Sequence, residues 1–209
     1  MNKRIWILLP LSFLLSFTLS GQEKEKKNGA VESIDSTIVL SKGRLVYKNR
    51  IYRQNAPFVT FGYGAGYGFE SKLVEQNMSF SYHHFIKKIG LQVSYFTSSD
   101  TKTWWNSDQK VKDVSVGIGT RWESTRYNFS VFAGPGWASG SYLWINDAQK
   151  EMVHYFSTVG FHAEMLATYK ISYDIGVGLS LMGIVNSQYS VAGGQIHVYF
   201  STAFVRNYN

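Results

Sequence analysis

The side chains in this sequence best suited to chemistry are a few histidines and charged residues scattered among small and apolar ones. His83, His154, His162 and His197 could each supply a catalytic base or a metal ligand. His162-Ala163-Glu164 sets an imidazole and a carboxylate two residues apart, on the same face of an extended strand. Arg121, Glu123, Glu164 and Asp174 could line an ion path, or pair with one another to fill an interior. Of these, Arg121 with Glu164 or Asp174 is the expected core pair. Cysteine is absent, so a thiol nucleophile, a zinc–thiolate site and a lipoprotein anchor are all excluded. Gly62-Tyr63-Gly64-Ala65-Gly66-Tyr67-Gly68 is glycine-rich, but no helix follows it and its spacing fits neither phosphate-loop pattern. The histidines are expected at different heights. No nucleophile–histidine–acid set gathers at one rim, and neither a metal nor a cofactor is implied.

The elements that must position these residues are strands. From about Phe58 to Val205 every second residue is apolar or aromatic, and the residues between are small, polar or charged. The rhythm predicts eight strands: Phe58–Phe69, Asn77–Ile86, Ile89–Phe96, Lys112–Glu123, Tyr127–Trp137, Val153–Tyr169, Ile171–Val185 and Gln195–Val205. Tight connections at Lys87-Lys88, Ser124–Arg126 and Lys170 alternate with longer ones at Glu70–Gln76, Thr97–Val111, Ala138–Met152 and Asn186–Gly194. Outer-membrane barrels alternate short periplasmic turns with longer extracellular loops in this way.

One phase of each strand is greasy: Val59, Phe61, Tyr63; Met78, Phe80, Tyr82; Val114, Val116, Ile118; Ile196, Val198, Phe200. This phase is expected to hold no Lys, Arg, Asp or Glu. A Lys or Arg facing lipid near the midplane costs ~2–4 kcal/mol, which accounts for the exclusion. The other phase carries Arg121, Glu123, Glu164, Lys170, Asp174, His83, His162 and His197 together with many glycines. A soluble lipocalin-like barrel would turn that phase to water, where glycine packs nothing. Inside a narrow barrel, glycine leaves room for Phe96, Phe132 and Tyr199. Aromatic residues sort to two edges. Trp122, Tyr127, Tyr169, Tyr173 and Phe204 fall at one, and Tyr95, Trp137 and Tyr155 at the other, as interfacial belts would. The fold class predicted is all-β: an eight-stranded antiparallel up-and-down transmembrane β-barrel with the apolar face outward.

Before the barrel, residues 1–21 read as a secretory leader, with Lys3 and Arg4 ahead of the apolar stretch Ile5–Leu19 and small residues near the cleavage point. Residues 22–56 form a separate N-terminal segment. It opens on the mixed-charge run Glu23–Lys27, and Leu45-Val46-Tyr47 and Ile51-Tyr52 flank Lys48-Asn49-Arg50 as a small hairpin or an extended linker in the periplasm. The barrel occupies 57–205. Net charge is +7, falling to +5 without Lys3 and Arg4. The positives do not form a nucleic-acid stripe, and attraction to lipid headgroups is their expected use.

Leader, eight strands, turn asymmetry and an aromatic-rich last strand resemble the small outer-membrane β-barrel proteins of the OmpA/OmpX type, over Phe58–Val205. The resemblance implies an outer-membrane location with both termini in the periplasm. It also implies contact with outer-membrane lipid and lipopolysaccharide, and help from the barrel-assembly machinery. Such proteins end on an aromatic residue; here Phe204 or Tyr208 must serve, since the chain ends Val205-Arg206-Asn207-Tyr208-Asn209. Pro135 needs a bulge near the outer end of its strand. The expected role is structural, or surface interaction with a partner on the outside or in the periplasm. Loop aromatics Trp104, Trp105, Tyr142 and Trp144 are candidate anchors. The alternatives are a rim-active lipid-modifying enzyme and an accessory component of a secretion or assembly system engaged through 22–56.

Overall fold

The computed structural model describes residues 38–40, 44–48, 50–100, 109–145 and 151–207. The leader and the charged run Glu23–Lys27 lie outside the described residues, as do Trp104, Trp105, Tyr208 and the side chain of Trp144.

Eight strands close an antiparallel barrel: β4 (Phe58–Gly68), β5 (Leu73–Ile86), β6 (Ile89–Asp100), β7 (Lys110–Glu123), β8 (Tyr127–Ile145), β9 (Glu151–Lys170), β10 (Ile175–Asn186) and β11 (Val191–Ser201). Four short strands, β1 (Ile38–Leu40), β2 (Arg44–Tyr47), β3 (Arg50–Arg53) and β12 (Phe204–Asn207), make a second sheet in the order β1-β2-β3-β12. All eight barrel strands read from the alternation are present. Register sets the barrel's shape. Phe58 pairs with His83, His83 with Gln92, and Gln92 with Gly117; the β7–β8 register then leads to Gly134. Gly134 pairs with His162, His162 with Ile184, Ile184 with Val191, and Val191 with Gly68. One circuit therefore returns to β4 ten residues from its start. Eight strands with that stagger tilt by roughly 35–45° and leave an interior that side chains can fill.

Parity then decides the side chains through the middle of the barrel; toward the loop end it lapses, and Thr97 and Ser99 of the outward phase are buried along with Ser98 and Asp100. Outward stand Phe61, Tyr63, Val116, Ile118, Leu179, Leu181, Val185 and Ile196, all exposed. Inward stand Ser79, Ser81, His83, Gln92, Ser94, His162, Glu164, Gln195 and His197, all buried. This is a soluble protein's distribution reversed, and a hydrocarbon surround accounts for it. Lys112 does share the outward phase. It lies two residues from the end of β7, where a long amine reaches the interface.

Two glycines show what the inward phase requires. A Cβ at Gly90 would lie 2.8 Å from Phe132 Cε1, and one at Gly119 would lie 2.5 Å from Phe132 Cδ1 and 2.0 Å from the Val131 carbonyl oxygen. The buried Phe132 ring occupies the space that those two side chains forgo. At the two-residue turn between β5 and β6, Lys87 takes φ 60°, the left-handed position such hairpins demand.

Several expectations are corrected. The connections at Glu70–Gln76 and Asn186–Gly194 shrink to the short turns 69–72 and 187–190. Most of Ala138–Met152 is strand, because β8 and β9 stay paired out to Ile145 and Glu151. Pro135 makes no bulge. The β7–β8 ladder skips from Ser115–Gly136 to Ile118–Ala133 in unchanged register, so the missing N–H removes bonds without inserting a residue. The last barrel strand stops at Ser201, and Phe204 pairs with Tyr52 in the second sheet.

Replacing Leu181, outward at mid-strand on β10, with Arg is expected to lower unfolding free energy in lipid vesicles by about 2–4 kcal/mol. Replacing Gly119 with Leu should reduce the folded fraction on a heat-modifiability gel. Unchanged urea midpoints for both variants would contradict the assigned faces.

Candidate functional site

The barrel has a turn end, with Lys87-Lys88, 124–126 and 171–174, and an opposite loop end. The interior between them is packed in stages. At the loop end Phe96, Val111, Ala138, Phe156, Met182, Ile184, Tyr189 and Val191 form an apolar plug, with the Tyr142 ring against it. Beside the plug, the buried Glu75 carboxylate accepts from Ser98, Gln109 and Tyr189, and from Ser71 Oγ at 3.1 Å.

The middle is polar. Gln92 Nε2 donates to Glu164 and, at 3.2 Å, to His83 Nε2. Ser81 Oγ donates to Glu164 at 3.5 Å, and His162 Nδ1 donates to Asp113 Oδ2 at 3.1 Å. His197 Nε2 and Thr168 Oγ1 are 2.9 Å apart. The His83 ring stacks on Phe58 at 4.2 Å. The Phe58, Phe85, Phe132, Leu166 and Tyr199 cluster then closes the turn-end half.

At the turn-end mouth lies a charged lock. Arg121 Nη2 donates to Glu123 Oε1 at 2.7 Å and to the Tyr199 hydroxyl at 2.8 Å. Its Nε donates to Asn128 Oδ1 at 2.6 Å, and its Nη1 to the Ala56 carbonyl at 3.1 Å. Lys170 Nζ donates to the same Glu123 oxygen at 2.5 Å and stands 4.0 Å from the Tyr173 ring centroid. The Asn55 backbone N–H reaches Glu123 Oε2 at 3.2 Å. The side chains of Arg121, Glu123 and Lys170 are only 1%, 8% and 0% exposed, so this is a buried triad. It holds the chain at Asn55-Ala56, just where the second sheet joins the barrel. That sheet lies over the mouth as a cap, with Leu45, Tyr47, Tyr52 and Ala56 packed on Tyr173 and Ala203. Burial raises the Tyr173 phenol above its ordinary value, with the Glu123 charge adding to it.

The singled-out residues therefore separate into three places. His83, His162, His197 and Glu164 lie in the middle of the lumen, and Arg121 with Glu123 forms the lock. Asp174 lies outside the lumen, in the β9–β10 turn, where it accepts from Ser201 Oγ at 2.7 Å and from the Ala203 N–H at 3.0 Å. Arg121 pairs with neither Glu164 nor Asp174. Trp122, Tyr127 and Tyr169 stand exposed at the turn end and Trp137 at the other, whereas Tyr173 is 1% exposed within the cap and Phe204 belongs to the cap sheet. Asp113, Glu75 and Gln92 carry no role in the sequence pattern, and Lys170, expected inward, joins the lock. Asp113 follows from parity, being two residues before the inward Ser115; Glu75 fell in a stretch read as loop.

No family model matches the sequence, and no curated protein does. Solved structures do. The Neisserial surface protein A aligns at TM-score 0.54 and 10% identity, covering 69% of this chain and 96% of that one. The attachment invasion locus protein of Yersinia pestis aligns at 0.50 and 11%, covering 72% and 99%. The fold is that of the small eight-stranded outer-membrane β-barrels. At these identities the likeness concerns the barrel alone.

Substituting Glu123 by Ala leaves Arg121 and Lys170 buried without their shared anion, an expected loss of about 3–5 kcal/mol. Urea unfolding in detergent micelles measures it. Trypsin should also cut faster after Arg53 while the barrel stays heat-modifiable. Unchanged cleavage and midpoint would show that the triad does not hold the cap.

Proposed function

We propose that this protein is an integral outer-membrane barrel that conducts no solute, keeps its cap and both termini in the periplasm, and works through contacts made at its loop end. The observation that carries the reading is the filled interior: an apolar plug, a hydrogen-bonded middle, an aromatic cluster and a locked cap follow one another along the axis. The projecting β8–β9 hairpin supplies a surface for a partner. Met152, Val153 and Tyr155 are exposed there, Tyr155 by 79%. Tyr142, one of the candidate anchors, instead turns inward, with its ring 5.1 Å from Tyr189. The structural or surface-interaction role remains the preferred one, with outer-membrane lipid, lipopolysaccharide and the assembly machinery as the surroundings that a barrel of this kind meets.

A rim-active lipid enzyme needs a nucleophile, a base and an acid facing lipid. Among the described residues the one His–carboxylate pair within hydrogen-bond distance, His162–Asp113, is buried in the lumen, which favours a packing role. The accessory-component reading would act through the cap, whose exposed residues include Arg44, Lys48, Arg50 and Arg53 beside Phe204 and Val205.

Reconstituted in planar bilayers, the full chain is expected to show no sustained unitary conductance. Reproducible channel steps would overturn the closed-lumen reading.

A further inference from the structure

At the turn end, between the cap and the barrel rim, lies a cleft of about 710 Å³. Leu45 and Asn55 line it from the cap side, Lys88 from the β5–β6 turn, Trp122, Ser124 and Thr125 from the end of β7 and the turn that follows, and the ion-paired Arg121 and Glu123 line it as well. Trp122 also faces outward in the belt at this end, so the cleft opens at interfacial depth.

The exposed charges around it have one sign. Arg44, Lys48, Arg50, Arg53, Lys87, Lys88 and Arg126 are exposed. The two described acids at this end are engaged, Glu123 by Arg121 and Lys170, and Asp174 by Ser201 and the Ala203 N–H. Lys88 has no carboxylate within ion-pair distance among the described residues. Beside the cleft, Arg44 and Arg53 stand directly opposite each other across β2–β3, a like-charge pairing that costs stability unless an anion lies near. Next to Lys88 the outward surface continues as Ile89 and Leu91 on β6, with Leu91 paired to Ile118 on β7.

We propose that this cleft seats the phosphate-bearing headgroup of an anionic phospholipid. The phosphate meets the Lys88 ammonium, with the Thr125 hydroxyl beside it, and the acyl chains run down the apolar stripe between β6 and β7. The proposal rests on the membrane-barrel reading. The apolar stripe favours a lipid over a soluble anion, because only a lipid satisfies both the cation and the greasy wall below it.

Native mass spectrometry of the full chain in non-ionic detergent, with phosphatidylglycerol added, tests it. Wild type is expected to retain the lipid, and Lys88→Glu to lose about fivefold or more in retention. Lys87→Glu, the same charge change one residue outside the cleft, should lose much less. Equal losses in the two variants would reduce the effect to general attraction and overturn the seat, as would full retention by Lys88→Glu. Displacement of the lipid by millimolar inorganic phosphate would overturn lipid in favour of a free anion. Heat-modifiable migration of each variant reports the barrel separately. Its loss in wild type would condemn the membrane reading itself, whereas its presence with no lipid bound would condemn only the cleft.

Discussion

In hydrocarbon no solvent can accept or donate a backbone hydrogen bond, so a chain that spans it with strands must close its ladder on itself. That closure governs the rest of this structure. Once the register circuit is fixed from Phe58 round to Gly68, the residues through the middle of β4 to β11 have their side chains assigned to lipid or lumen by parity. Nothing in the interior can be altered without consulting the ring of neighbours at the same height. Phe132 occupies its place because Gly90 and Gly119 leave it open. Pro135, facing outward, removes donors on its β7 side and is tolerated because the flanking pairs hold the register.

A closed ladder leaves the two mouths as the places where the barrel could admit water, and both are shut by different means. The loop end is plugged by apolar side chains from the strands themselves. The turn end is covered by a separate sheet made from residues before and after the barrel, clamped by a carboxylate shared between two buried cations. Such a triad is a poor source of net stability but an effective source of specificity, since loss of any member strands a buried charge. The lumen histidines and Glu164 fit the same logic. They are held by Gln92, Asp113, Thr168 and Ser81 as parts of a filled interior, remote from either rim.

The barrel was legible in the sequence because period-two alternation is its direct signature, and all eight strands could be placed from it. The hairpin at Leu45–Tyr52 was only half legible: two apolar runs flank the polar Lys48-Asn49-Arg50, a pattern that an extended linker fits equally well. Placement beyond the ladder was less so. Tyr173 resembles an interfacial aromatic by type and position, yet the cap gives it a dry surface to pack on, whereas Phe204 stays exposed on the cap sheet; no local pattern announces that sheet because it pairs residues 50–52 with 204–207. Asp174 was assigned inward by counting from a strand start at Ile171, but the strand begins at Ile175 and the residue serves the turn. The partner of Arg121 was sought across the barrel and is found two residues away, at Glu123, because a strand's alternate residues share a face. The β8–β9 hairpin looked like a loop, since its serines, glycines and alanine weaken the alternation.

The central claim is that the apolar face meets lipid and the polar face fills a closed interior. The absence of cysteine makes it directly measurable. Single cysteines placed at the neighbouring positions 181 and 182 of β10, labelled with an environment-sensitive fluorophore after unfolding and refolded into vesicles containing brominated lipid, report the two faces separately. The account predicts strong quenching from 181, and from 182 either impaired folding or weak quenching. Equal quenching at both positions, or quenching confined to 182, would contradict it.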